Sequence, residues 1–146
     1  MEQTATEMTP AEWEIMRVIW TLGDIGSSDV IKVMQEKRDW TESTVKTLLR
    51  RLVNKDMLTT AQAGRKFIYH PTIDEKTAME QTSTNLFDHL CAMKKGVVLN
   101  NLIAETELSQ DDIRSMQALL ETKLKTAPKQ VACDCLGSGD ADCCGM

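Results

Sequence analysis

The chain has 146 residues, 42% hydrophobic and 27% charged, with a formal net charge of −5 and a pI near 5.1. That is the size of one ordinary domain, or of a small domain with an extension, and the composition is that of a folded protein. No apolar run reaches the roughly 18 residues of a membrane helix. The polar start Met1-Glu2-Gln3-Thr4 reads against a secretory signal, so a cytoplasmic protein without a membrane partner is expected. In a reducing compartment, five cysteines favour metal binding or thiol chemistry over a disulfide framework.

In chain order, Thr9-Pro10-Ala11-Glu12 reads as a helix start, with Thr9 as cap, Pro10 in the first turn and Glu12 at the capping-box position. Trp13, Met16, Ile19 and Trp20 form its apolar stripe, and Gly23 to Gly26 ends it. Ser27 or Ser28 is expected to cap a second helix carrying Val30, Ile31 and Met34. Thr41 is expected to cap a third, with Val45, Leu48, Leu49 and Leu52 facing inward. Met57 to Ala61 and Lys66 to His70 then read as strands joined by the turn Gln62-Ala63-Gly64-Arg65, with Pro71 as the break. Three helices followed by a hairpin make a winged helix-turn-helix.

Charge supports that reading. Between Lys32 and His70 there are nine basic and four acidic residues, a local charge of +5, whereas from Asp74 onward seven bases face twelve acids. The third helix and its cap present Thr41, Ser43, Thr44, Lys46, Thr47, Arg50 and Arg51, and the turn of the hairpin adds Arg65 and Lys66. Hydroxyls of this kind reach base edges and long cations reach phosphates. A solvated amphipathic helix is the bland alternative. Two basic elements at winged-helix spacing favour double-stranded DNA.

The second half reads as helical. A helix is expected from Asp74 to about Lys94, with Met79, Leu86, Phe87, Leu90 and Cys91 on its apolar face and Cys91 as a core residue without a metal role. Val97 to Ile103 is a second apolar stretch. Ser109 caps a last helix with the stripe Ile113, Met116, Leu119, Leu120 and Leu124. Helices too few to build a core of their own suggest a homodimer interface.

After Pro128 the helical pattern stops, and Cys133, Cys135, Cys143 and Cys144 fall within twelve residues, separated by Gly, Ser and Asp. Four thiols on such a loop make an all-sulfur site suited to Zn(II) or Cu(I). A redox switch made of two disulfides is the alternative. The expected architecture is mainly α with a small β-hairpin: a winged-helix DNA-binding domain (1–72), a helical dimerisation domain (73–126) and a flexible cysteine-rich metal-binding tail (127–146). No nucleophile–base pair or carboxylate cluster suggests an enzyme. A metal-storage protein is a further alternative, which the basic third helix and wing disfavour.

Ala11-Glu12-Trp13-Glu14-Ile15-Met16 with Ile19-Trp20, then Trp40 with Thr44-Val45-Lys46-Thr47-Leu48-Leu49 and Arg51-Leu52, then Leu108-Ser109-Gln110-Asp111-Asp112-Ile113, closely resemble the penicillinase-repressor family over about residues 5 to 125. The cysteine tail resembles that family's copper-responsive CopY-type branch. The resemblance implies a dimeric repressor that holds a palindromic operator, built around ACA and TGT, when zinc fills the tail. Cu(I) donated by a small copper chaperone then replaces zinc, and a copper-exporting ATPase is expressed. Carried over by position, Cys133, Cys135, Cys143 and Cys144 are the ligands, and Thr44, Lys46, Thr47 and Arg51 lie on the recognition helix. Ser43 stands where some relatives have Lys. The spacer is seven residues rather than four, and the last two cysteines are adjacent rather than separated by one residue. The β-lactam branch, in which a sensor protease cleaves the repressor, is the alternative within the family.

Overall fold

The computed structural model describes residues 7–136. The order of elements is α1 (Pro10–Leu22), β1 (Ile25–Gly26), α2 (Ser27–Arg38), α3 (Glu42–Asn54), β2 (Leu58–Ala63), β3 (Lys66–Pro71), α4 (Glu75–Asp88), a short 3-10 turn (Ala92–Lys94), α5 (Lys95–Glu105) and α6 (Gln110–Leu124). The chain divides after Asn85 into two compact units, so the first turns of α4 group with the winged helix.

In the first unit, α1 starts as the sequence predicts. The Thr9 side chain accepts from the Glu12 backbone N–H and the Glu12 carboxylate accepts from the Thr9 N–H, closing a capping box around Pro10. Gly23 ends the helix at φ 81°, a conformation that glycine adopts without a Cβ clash. Thr41 caps α3 through the Thr44 N–H. Val45, Leu48, Leu49 and Leu52 of α3 are buried with Ile15, Met16 and Ile19 of α1 and Val30 and Met34 of α2 in one core. Trp20 closes the lower edge, its indole N–H donating to the Ile73 carbonyl at 2.9 Å, and its ring lies 5.5 Å from that of Trp13.

Three local expectations are corrected. The expected β2–β3 hairpin is present but extended to a three-stranded antiparallel sheet in the order β1-β3-β2, because Ile25 and Gly26 pair with Tyr69 and Ile68. Helix α2 is capped by Gly26, not by Ser27 or Ser28, and no side chain bonds its first N–H groups. Pro71 does not break β3 but closes it, opposite Leu58, and the strands run up to a two-residue turn, Gly64-Arg65. Gly64 at φ 66° takes the first central position of that turn, where a left-handed residue matches the twist of the flanking strands.

Two polar contacts join the helices of this unit. The Glu12 residue is only 1% exposed, and the Lys55 ammonium, just past α3, reaches both of its carboxylate oxygens at 2.8 and 3.0 Å and the Glu7 carbonyl at 2.8 Å. On the opposite side of α1, Glu14 meets Arg38 and Lys37 of α2, each at 3.1 Å. Hydrogen bonds from Arg38 and then Lys37 hold the Glu14 carboxyl below its ordinary value, against a smaller desolvation cost.

In the second unit the expected helix from Asp74 to Lys94 is interrupted. Helix α4 stops at Asp88, the His89 and Leu90 N–H groups bond to the Leu86 and Phe87 carbonyls, and the chain turns at Cys91 before α5. Ser109 caps α6 in a second capping box with Asp112. Neither α5 nor α6 has a buried residue: Val97, Leu99, Leu102 and Ile103 on the first, and Ile113, Leu119, Leu120 and Leu124 on the second, are exposed.

Two stability predictions follow from these contacts. Lys55→Met leaves the Glu12 carboxylate enclosed without its cation, and a loss of about 1–3 kcal/mol in urea unfolding is expected; an unchanged midpoint means the pair contributes nothing. For Glu14 the folded-state value is depressed, so its contribution is present above the ordinary carboxylate range and is lost as pH falls through the folded value. Glu14→Gln should be less stable than the parent at neutral pH, with the two thermal midpoints converging on acidification.

Candidate nucleic-acid interface and thiol cluster

Helix α3 buries one face and leaves the other to solvent. Its alternation arises from the inward stripe Val45-Leu48-Leu49-Leu52, which puts Ser43, Thr44, Lys46, Thr47, Arg50 and Arg51 outward, all exposed. Ser43, Thr44, Thr47, Leu48 and Arg51 line an open depression of about 270 Å³. The hydroxyls are held locally: Thr41 Oγ1 lies 2.9 Å from Thr44 Oγ1 and 3.2 Å from Ser43 Oγ, and Thr47 donates to the Ser43 carbonyl at 2.8 Å. Thr41 therefore serves first as the helix cap.

Around the helix, Lys46 and Arg50 meet the wing. With Ser27, Val53, Thr60, Phe67 and Tyr69 they line a groove of about 570 Å³ between α3 and the sheet. Phe67 is 52% exposed there, an aromatic side chain that the strand pattern alone does not single out. The Lys46 ammonium is engaged at 2.6 Å by Glu42, whose carboxyl is lowered by that hydrogen bond and by the charge of Lys46. Arg65, in the turn of the wing, and Lys66, in the closing β-pair with Ala63, are both exposed. Every sequence-predicted residue of this set is thus on the surface of the first unit, and the groove joins helix and wing.

The thiols form a separate site in the second unit. Cys133 and Cys135 are described; Cys143 and Cys144 lie outside the described residues. Cys91 corrects its sequence reading, because the end of α4 at Asp88 removes it from any helix face and puts it at the start of the 3-10 turn. Its Sγ is 3.7 Å from that of Cys133, and the Sγ atoms of Cys91, Cys133 and Cys135 all lie within 4.8 Å of one another. The Cys135 N–H donates to Cys133 Sγ at 3.3 Å, and the Asp134 carboxylate accepts from the Ala92 N–H at 2.8 Å. A fifth cysteine outside the tail motif was the one signal in the sequence that pointed to this arrangement.

The family model described as penicillinase repressor matches residues 8–122. The chain belongs to the penicillinase-repressor family. Its members are repressors of transcription, not enzymes. A Latilactobacillus sakei protein, described as an uncharacterized 16.5 kDa protein in the ptsI 3' region, is 52% identical over 93% of each chain. The penicillinase repressor of Bacillus licheniformis is 30% identical over 79% of this chain and 90% of its own. Among solved structures, the DNA-binding domain of the repressor BlaI is 36% identical over 51% of this chain and 90% of that one, with a TM-score of 0.47. No helix among the described residues is long and apolar enough to cross a membrane.

Proposed function

We propose that this penicillinase-repressor family member is a copper-responsive transcriptional repressor of a copper-homeostasis operon. It holds a palindromic operator in double-stranded DNA as a zinc-loaded cytoplasmic homodimer, and leaves it when Cu(I), donated by a small chaperone, takes the tail thiols. The observation that carries the DNA part is the groove in which Lys46 and Arg50 of α3 meet Thr60 and Phe67 of the wing. A recognition helix inserted in the major groove offers its hydroxyls to base edges while cations on helix and wing meet the phosphates. The dimer is supported by the leucines and valines of α5 and α6 that stand exposed among the described residues of one copy.

The metal part is supported by sulfur chemistry. Thiolates are soft donors, which suit Cu(I) and Zn(II) and not Mg(II) or Ca(II). The sulfurs of Cys133 and Cys135 lie within 4.8 Å of each other, a spacing that suits one ion once Cys133, disulfide-bonded in this structure, is reduced; Cys143 and Cys144 complete the proposed ligand set. A bound ion supplies a cross-link between thiolates, and a copper form and a zinc form regulate only through a difference in operator affinity.

Two experiments test this reading. Operator binding by the zinc-loaded protein, followed anaerobically by fluorescence anisotropy, should be lost as Cu(I) is added, with zinc released, and the Cys→Ser variant at Cys133, Cys135, Cys143 and Cys144 should no longer respond. Binding retained despite copper uptake would move the response to oxidation or proteolysis. In the same assay, Thr47→Ala should cost about 1–3 kcal/mol against the base it reads and relax selectivity there. Arg65→Ala and Lys66→Ala should weaken binding to all sequences alike and each reduce the salt slope by about 1. Substitutions at α3 and the wing that leave both affinity and salt slope unchanged would refute the DNA face.

A further inference from the structure

Helix α3 sorts its outward residues into two rows. Ser43, Thr47 and Arg51 line one depression, whereas Lys46, Arg50 and Val53 line the groove shared with the wing. The other wall of that groove is one face of the sheet. Phe67 and Tyr69 share this face of β3, and Thr60 stands opposite Tyr69 on β2. Tyr69 is half-buried and packs on the core. Phe67, nearer the turn, has Gln62 opposite it and is 52% exposed, the one exposed aromatic ring among the described residues. On the helix side, Lys46 is engaged by Glu42 at 2.6 Å, and Arg50 pairs with no carboxylate among the described residues. One wall therefore offers cations and the other an apolar ring.

The major and minor grooves of a duplex are separated by a single sugar–phosphate strand. A helix seated in the first and a wing reaching towards the second straddle that strand. Along it, charged phosphates alternate with largely apolar deoxyribose rings, which matches a groove with Arg50 and Lys46 on one wall and Phe67 on the other. We propose that Phe67 packs on a deoxyribose of the strand lying between α3 and the wing, and selects DNA over RNA at that nucleotide. The C2′ methylene of deoxyribose is apolar and is buried against the ring without loss. A ribose puts a hydroxyl there, for which the ring has no hydrogen bond to offer. A thymine methyl is a poorer match, because it lies among the base edges, on the side of the Ser43, Thr47 and Arg51 row. A wedge between base steps would have to project from the tip of the wing, which is Gly64-Arg65. The contact reads the sugar and not the base, so it holds for any operator sequence. It rests on the DNA reading of the groove, to which it adds a residue and the part of the nucleotide that this residue meets.

The test uses the full-length protein with zinc present and a fluorescent DNA duplex carrying the palindrome of ACA and TGT. A single ribonucleotide is moved through every position of one half-site, and affinity is read by anisotropy. At one or two adjacent positions of one strand, the unaltered protein should bind about 5- to 100-fold more weakly, the range for enclosing an unpaired hydroxyl. A 2′-fluoro nucleotide, which favours the ribose pucker without a hydroxyl, should be tolerated there; an equal loss with fluorine overturns the proposal. Phe67→Ala should bind the all-DNA duplex about tenfold more weakly and be indifferent to the ribonucleotide. The same sensitive positions in Phe67→Ala and the unaltered protein, or no sensitive position in either, overturn the assignment and leave the DNA reading standing. Should Phe67→Ala bind too weakly to titrate, Phe67→Leu decides. A smaller ribonucleotide penalty at the same position supports the contact, and an undiminished one overturns it. Failure of the unaltered protein to bind the all-DNA duplex removes both the contact and the DNA reading.

Discussion

The first unit depends on one enclosed carboxylate. Glu12 belongs to the capping box of α1, and the same side chain receives Lys55 from the far end of α3. Helix start, helix end and the leading segment at Glu7 are therefore joined at one charge pair. Such a pair contributes little net energy over an apolar substitute of the same shape, yet breaking it is costly, which makes it a device for orientation. It sets where α3 begins and ends against α1 and hence which of its residues face water. The exposed row from Ser43 to Arg51 is the complement of that packing decision.

What was readable in the sequence was local. Thr9-Pro10-Ala11-Glu12 and Ser109 to Asp112 carry their cap chemistry within four residues, and both helices start where those residues say. The stripe of α3 has the helical period, so its buried and exposed faces separate cleanly. Strand β1 was not readable because two residues have no period; Ile25 and Gly26 are a strand only through Ile68 and Tyr69. Glu12 and Lys55 are 43 positions apart, and no short pattern joins them. The break after Asp88 was hidden because Phe87, Leu90 and Cys91 continue the apolar spacing of α4 and no Gly or Pro interrupts it. That break is the reason Cys91 left the helix and met the tail.

The two units divide the physical labour by composition. Bases concentrate between Lys32 and His70, where α3 and the wing lie, and acids prevail beyond Asp74. The second unit would therefore be repelled by a phosphate surface, which limits the number of ways a chain can lie on DNA. Its helices α5 and α6 carry exposed apolar side chains among the described residues, so the proposed assembly and metal site both belong to the acidic half.

The small sheet also carries its own protection against growth. Strand β1 covers β3 only at Ile68 and Tyr69, leaving the rest of that edge unpaired. One end of β3 is Lys66 and the other is Pro71, a charge and a residue without an N–H to offer. The opposite edge, β2, shows solvent Thr59, Thr60 and Gln62 rather than an apolar row. A wing that must stay extended and exposed to meet its partner is in this way a poor template for an incoming strand. The lysine at one end and the proline at the other also keep separate copies from fusing sheet to sheet into fibrils.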